Sequence, residues 1–245
     1  MSTPIDPVQS PNDSAQVSPM LAAMRLLQFT DSTFPVGTFS FSNGLETASF
    51  ENMVTDAREL EDFTWAQAVQ AAYSDGVVAI HAHRAFLRGD YDAIAEADKA
   101  LIRFKMNAEA RQMLRRMGKK LAELAGKLFD NQIASRWLAD IKADLVPGTY
   151  PVGQGIAFAA AGIGEREMFC AHQYGAINMV LSAALRCVKV SHYDTQQILY
   201  RLSQKVESLY EEAAAMKLRD VNAFFPELDI LASLHEKGNM RMFMN

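Results

Sequence analysis

Apolar residues in this chain recur at steps of three and four over long stretches, as at Met113, Met117, Leu121, Leu124 and Leu128 and again at Leu199, Leu202, Val206, Leu209, Ala213 and Met216. That spacing lines one face of an α-helix, whereas a half-buried strand alternates with period two. No sustained alternation with β-branched enrichment and hairpin turns occurs in the chain. The expectation is an all-α fold, a single-domain multi-helix bundle with two long loops and flexible termini. At 245 residues, 49% of them hydrophobic, the chain can bury one sizeable core.

Local signals divide the bundle. Ser18-Pro19 supplies an N-cap and a first-turn proline ahead of Met20, Met24 and Leu27 at helical spacing. A second helix is expected to start at Asn43, and a third runs from Asp56 to Ser74 with Phe63, Ala66, Val69 and Tyr73 on one face. Gly76 is read as the divide before a helix carrying Val78, Ala82 and Ala85, which stops at Gly89. Asp90 caps the next, with Ile94, Ala97, Leu101 and Phe104, and an amphipathic helix follows from Asn107 to Leu128. A short helix covers 131–143, and the second long loop is placed over 146–155. Residues 156–164 and 175–190, rich in Ala, Gly and Ile, are expected as central helices with close backbone approach. Asp194 opens a helix through Met216 whose seam fits an ordinary bundle helix first and a dimer contact second. Pro226 opens a last helix through Leu234 that ends at Lys237-Gly238. Residues 1–18 read as a disordered tail, 19–238 as the helical domain, and 239–245 as a docking tail.

Several classes are excluded or disfavoured. No window approaches the ~18 apolar residues of a membrane span, and the N-terminus lacks the basic start and apolar core of an export signal. Two cysteines, Cys170 and Cys187, make no disulfide framework and suit a reducing, cytoplasmic setting. The net charge of −5 is unevenly spread: residues 99–127 hold nine Lys and Arg against two Asp and Glu, while residues 1–98 hold four against fourteen. Such a basic run is most often a solvated helix face. As a site it would meet an acidic protein, with Arg115 and Arg116 as its candidates. Nucleic acid is the weaker alternative, since the pI is acidic and no nucleic-acid-binding motif accompanies the run.

The search for reactive chemistry is negative. No G-x-x-x-x-G-K-[ST] phosphate loop and no G-x-S-x-G elbow exist. His81 and His83 lie ~200° apart around a helix and do not share an ion readily. Cys170-Ala171-His172 reads as a buried thiol beside a loop histidine rather than half of a metal site. No catalytic residue, metal or cofactor is expected, and an interaction protein is the remaining class. A helical enzyme or ligand-binding bundle is the alternative, and an enclosed polar pocket with convergent titratable groups would favour it.

Two features fit interaction. In Phe34-Pro35-Val36-Gly37-Thr38-Phe39-Ser40-Phe41-Ser42-Asn43-Gly44-Leu45-Glu46, Pro35, Gly37 and Gly44 specify a turn, and Asn43 with Glu46 matches an N-cap with a carboxylate reaching back. Phe34, Phe39 and Phe41 must then dock on the core or meet a partner. The closing Asn239-Met240-Arg241-Met242-Phe243-Met244-Asn245 sets four large apolar residues around one Arg past a helix stop, and either packs back or docks elsewhere.

The opening segment resembles the signature of the urease accessory protein UreF family. Three further blocks in the right order are similar to that family: Tyr150-Pro151-Val152-Gly153-Gln154-Gly155-Ile156-Ala157, Tyr174-Gly175-Ala176 running to Leu185-Arg186, and Pro226-Glu227-Leu228-Asp229-Ile230 to His235-Glu236 with Arg241-Met242-Phe243 beyond. The resemblance implies an all-α, dimeric, non-catalytic subunit. It binds the partner UreD, also called UreH, and recruits the GTPase UreG for nickel delivery to apo-urease. It also implies that the tail, Met240 to Met244 with Arg241 and Phe243 foremost, lies at the UreD contact. Thr38, Phe39 and Phe41 depart from the usual Gly or Ser, the Tyr of some relatives and the frequent His, which turns the loop from metal toward contact.

Overall fold

The computed structural model describes residues 17–37, 41–221, 225–235 and 242–243. Phe39, Met240, Arg241 and Met244 lie outside the described residues. Within them are twelve α-helices: α1 (Pro19–Thr30), α2 (Leu45–Phe50), α3 (Ala57–Ala71), α4 (Val77–Leu87), α5 (Tyr91–Phe104), α6 (Ala108–Leu128), α7 (Gln132–Lys142), α8 (Tyr150–Ala160), α9 (Glu165–Cys187), α10 (His192–Ser203), α11 (Val206–Ala215) and α12 (Pro226–His235). A π-turn (Ala72–Gly76) joins α3 to α4, a 3-10 turn covers Leu218–Asp220, and no strand occurs among the described residues. The all-α bundle is as expected.

Caps account for many starts. Ser18, Asp56, Asp90, Asn107 and Asn131 each accept a backbone N–H of their own first turn, and Ser191 with Asp194 closes a full capping box at α10. The capping serine is three residues ahead of the Asp194 start read from sequence.

Packing then overrides several local signals. α8 is the central helix, buried along nearly its whole length and packed between α4 and α6. It begins at Tyr150, so the second loop ends at Thr149 instead of 155. Pro151 fits this first turn because no intrahelical N–H is needed there. Gly155, a poor helix former, is retained because a Cβ would stand 2.6 Å from the Ala79 carbonyl oxygen of α4. Gly76 does not divide two helices; the π-turn carries the chain from α3 into α4, and the Phe169 ring occupies the space where a Gly76 side chain would begin. α9 starts earlier than expected, so Cys170 and His172 are helical, with Cys170 exposed and His172 buried. The apolar run ending at Met216 is broken at Gln204 and Lys205: α10 rests on α9 and α3, while α11 turns toward the π-turn and α4. It is therefore not one continuous seam.

Two apolar clusters fill the interior. One gathers α4, α5, α6, α8 and the N-terminal half of α9; the other gathers α2, α3, the C-terminal half of α9, α10, α12 and Phe243. Trp65 and Val206 pack against both, which joins them into one body. Phe29 alone of α1 is buried; Met20, Met24 and Leu27, read from sequence as its periodic apolar face, are 79%, 62% and 64% exposed. On α6 the buried line is Leu114, Met117, Leu121 and Ala125, with Leu128 exposed.

One junction positions α8. The buried Asp98 of α5 accepts hydrogen bonds from the Trp137 indole at 3.0 Å, the Gly148 N–H at 2.9 Å and the Thr149 N–H at 2.8 Å. Burial pushes its carboxyl up, against the pull of those donors. The same 148–150 backbone lies on Gly118 of α6.

Candidate functional site

The C-terminal tail seat brings together residues far apart in sequence. Gly44, at φ 81°, turns the chain into α2, and a Cβ there would stand 3.2 Å from the Ala232 nitrogen and from the Leu231 side chain. α12 therefore lies directly on this turn. Gly44 is the N-cap, without a side-chain bond, and Asn43 sits at φ 52°, so the expected Asn43 cap does not form. Asn43 instead uses its carbonyl to accept from the Gln67 amide at 2.6 Å.

What Glu46 does is hold the tail. It is 1% exposed, and its two carboxylate oxygens accept the Met242 N–H at 2.8 Å and the Phe243 N–H at 3.3 Å. These are charge-assisted bonds to two consecutive amides, a geometry that fixes a short segment of backbone. Phe243 is buried among the apolar residues of α2, α9 and α12, and the Arg186 guanidinium lies over its ring at 5.4 Å. Met242 is half exposed beside it. A Glu46→Ala variant is expected to lose about 2 kcal/mol of stability, read by urea unfolding, and to expose the tail to carboxypeptidase. An unchanged digestion rate would show that the carboxylate does not hold it.

Next to the seat runs a cleft of about 70 Å³ lined by Phe29, Phe34, Tyr150, Tyr174, Arg186 and Phe243, among others. Phe34 packs edge-on against Phe29 at 5.3 Å and Tyr174 is exposed, so three of the four sequence blocks meet here with the tail. Arg186 and Tyr174, read from sequence only as motif residues, line it as directly as the phenylalanines do. Burial pushes the Tyr150 phenol up to about 12, leaving a neutral hydroxyl at the rim.

Adjoining this cleft, and sharing Tyr150, Gln154, Gly175 and Met179 with it, lies a chamber of about 140 Å³. His172 stands 2.8 Å from Gln154 through Nδ1, and burial lowers its pKa, so the ring is neutral. Asp75 pairs with Lys105; burial opposes its charge, yet Lys105 beside it holds the carboxyl below the ordinary value. Burial raises Asp229 of α12, with Lys105 opposing and Asn107 hydrogen-bonded to it. Among the described residues no three His, Cys, Asp or Glu gather closely enough to hold a metal ion.

Phe41 is only 6% exposed and is not a presented surface. It forms, with Pro35, Val36 and Gly37, one side of a second cleft of about 400 Å³ whose other side is Arg116, Met117, Lys119 and Lys120 of α6. The turn and the basic helix, separate readings in sequence, are neighbours. Arg115 points elsewhere, exposed and 3.9 Å from Asp144. No helix among the described residues is long and apolar enough to cross a membrane.

Comparison with known proteins gives the family. A family model described as UreF matches residues 54–203. The chain is 46% identical over 222 residues to "Urease accessory protein UreF 2" of Brucella canis, covering 91% of each chain. It is 42% identical over 222 residues to "Urease accessory protein UreF" of Yersinia pseudotuberculosis, covering 91% of this chain and 97% of the relative. An all-α body, the motif blocks gathered around one tail seat, and identity at this level over nine-tenths of the chain place it in one family: the chain belongs to the UreF urease accessory proteins.

Proposed function

We propose that this protein is a non-catalytic scaffold of urease maturation that binds a UreD (UreH) partner through its C-terminal tail and seat. Through that complex it recruits or regulates the GTPase UreG, and so directs nickel, as cargo, to apo-urease in the cytoplasm. The observation that carries this reading is the composite seat in which Glu46, Arg186 and the adjoining cleft hold Phe243 and leave Met242 half exposed. A short tail seated on its own body offers a partner a ready-ordered edge, with half-exposed Met242 next to Phe243, whose ring lies under the Arg186 guanidinium. Truncation after Gly238 is expected to leave the helical body folded and to abolish co-purification with UreD. Undiminished binding would refute the tail assignment.

The exposed stripe of α1 supports a homodimer. Met20, Met24 and Leu27 lie on one helical face and open to water together, an apolar surface that a second copy would cover isologously. Met24→Asp is expected to shift the light-scattering mass from dimer to monomer without lowering the melting temperature of the monomer. A dimer that survives it assigns the interface elsewhere.

A ligand-binding bundle is the second reading, favoured by the chamber at His172 with its titratable lining. Its charged groups pair with one another or with Asn107, which suits a latch between α12 and the body. A metabolite panel that leaves the melting temperature unchanged removes that reading.

A further inference from the structure

We propose that the cleft between the 35–37 turn and α6 is a docking slot for an acidic polypeptide segment that carries an apolar anchor residue. It is distinct from the tail seat, although Val36 lines both this cleft and the one beside the seat. The floor is apolar and built: Val36, Phe41 and Met117 are 6%, 6% and 2% exposed, so they are held by the core and present a fixed wall. The rim is cationic, with the exposed Arg116, Lys119 and Lys120 along one face of α6. Glu123, half-buried and 3.2 Å from Lys120, is the acidic residue among the described residues of that rim, against three cations.

Charge complementarity selects the occupant. A cationic run on a convex helix face is screened by dissolved ions within about 10 Å at ordinary salt. Here the cations border a concavity with low-dielectric walls, which concentrates their field on whatever enters. The chain as a whole is acidic, so attraction is confined to the segment 99–127 that supplies this rim. An apolar floor beneath a cationic rim matches a carboxylate-rich peptide with one buried side chain. A nucleic-acid strand fits less well, because Phe41, the aromatic ring among the described residues of this cleft, is buried in the floor and offers no stacking face.

This surface rests on the scaffold reading only in taking its occupant to be a protein. The test uses the full chain and a fluorescein-labelled peptide of glutamates around one central leucine. Its companions are an all-glutamate peptide, a lysine-for-glutamate peptide and a thymidine oligonucleotide. Binding of the leucine peptide is expected, at least about tenfold weaker in an Arg116→Glu/Lys119→Glu/Lys120→Glu variant. These side chains are exposed, so circular dichroism should show the fold intact. Lys119→Gln/Lys120→Gln, which removes charge without adding carboxylates, decides the matter if the triple variant misfolds, and should weaken binding in the same direction. Equal affinity in the variants, equal binding of the all-glutamate peptide, or stronger binding of the oligonucleotide overturns the proposal. The same variants should still co-purify with UreD, so loss of the peptide with the UreD complex intact isolates the cleft. Peptide binding that persists when the truncated chain still captures UreD would fail the tail reading and leave the slot standing.

Discussion

Asp98→Ala is expected to lower stability by about 3–5 kcal/mol, because each buried donor left without a partner costs about 1–3 kcal/mol. Three donors are involved: the Trp137 indole and the Gly148 and Thr149 amides all end on this one carboxylate. The relief of an ion buried at a cost, visible as the raised pKa of Asp98, offsets part of the loss. Asp98→Asn keeps one acceptor oxygen and is expected to fall between the two. Urea unfolding followed by tryptophan fluorescence reads the effect directly, since Trp137 is one of the partners. A loss below about 1 kcal/mol would mean that these bonds behave as surface contacts do. The functional consequence follows from position. Thr149 is the N-cap of α8, so loosening this tether displaces Tyr150 from the rim of the tail cleft.

Gly118→Ala is the second large effect, and its sign opposes intuition from helix propensity. In an exposed helix the change would stabilise by about 1 kcal/mol. Here a Cβ would stand 2.0 Å from the Gly148 oxygen, 2.6 Å from the Thr149 carbon and 2.7 Å from the Tyr150 nitrogen. All three are backbone atoms, so no side chain can rotate aside. The expected loss is about 2–4 kcal/mol, with the 148–150 segment forced off α6. Gly126, in the same helix, is the control. Its Cβ would meet only the Leu138 side chain at 3.4 Å, an ordinary contact, and Gly126→Ala should be neutral or stabilising. Paired melting curves of the two variants separate tertiary approach from propensity, and a stabilised Gly118→Ala would sink the account.

Much of the fold was legible before any coordinates. The caps at Ser18 and Asp90 are short-range chemistry, a side-chain oxygen and an amide a few residues on, and the structure has them in place, as it does the helix starts at Asn107 and Asn131. The boundaries that moved did so where tertiary contact outweighed local preference. Gly153 and Gly155 read as loop residues and are helical, because α8 is enclosed on all sides. Gly76 reads as a divide and is a π-turn against Phe169. The paired three-and-four spacing through Met216 describes two helices, since periodicity carries no information about a bend between faces.

The site was legible in a different way. Its motif blocks were visible as clusters of turn and aromatic residues, and their resemblance identified the family. Roles within the blocks were not. Glu46 looked like a capping carboxylate because Asn43 precedes it by three residues, yet it is held away from that task by the left-handed backbone at Asn43 and Gly44. Its partners include the Met242 and Phe243 amides nearly two hundred residues on. Phe41 looked like a sticky surface and is a cleft floor.

The sequence by itself therefore determined the helical class, most helix starts and the family, because periodicity, capping and motif chemistry act between residues a few positions apart. Only the tertiary structure decided which carboxylate holds the tail, which glycines are mandatory, and that the opening turn and the basic helix share one cleft. Those facts depend on backbones and charges brought together across the chain, where the cost of a clash or an unpaired buried group is set by neighbours that no local pattern names.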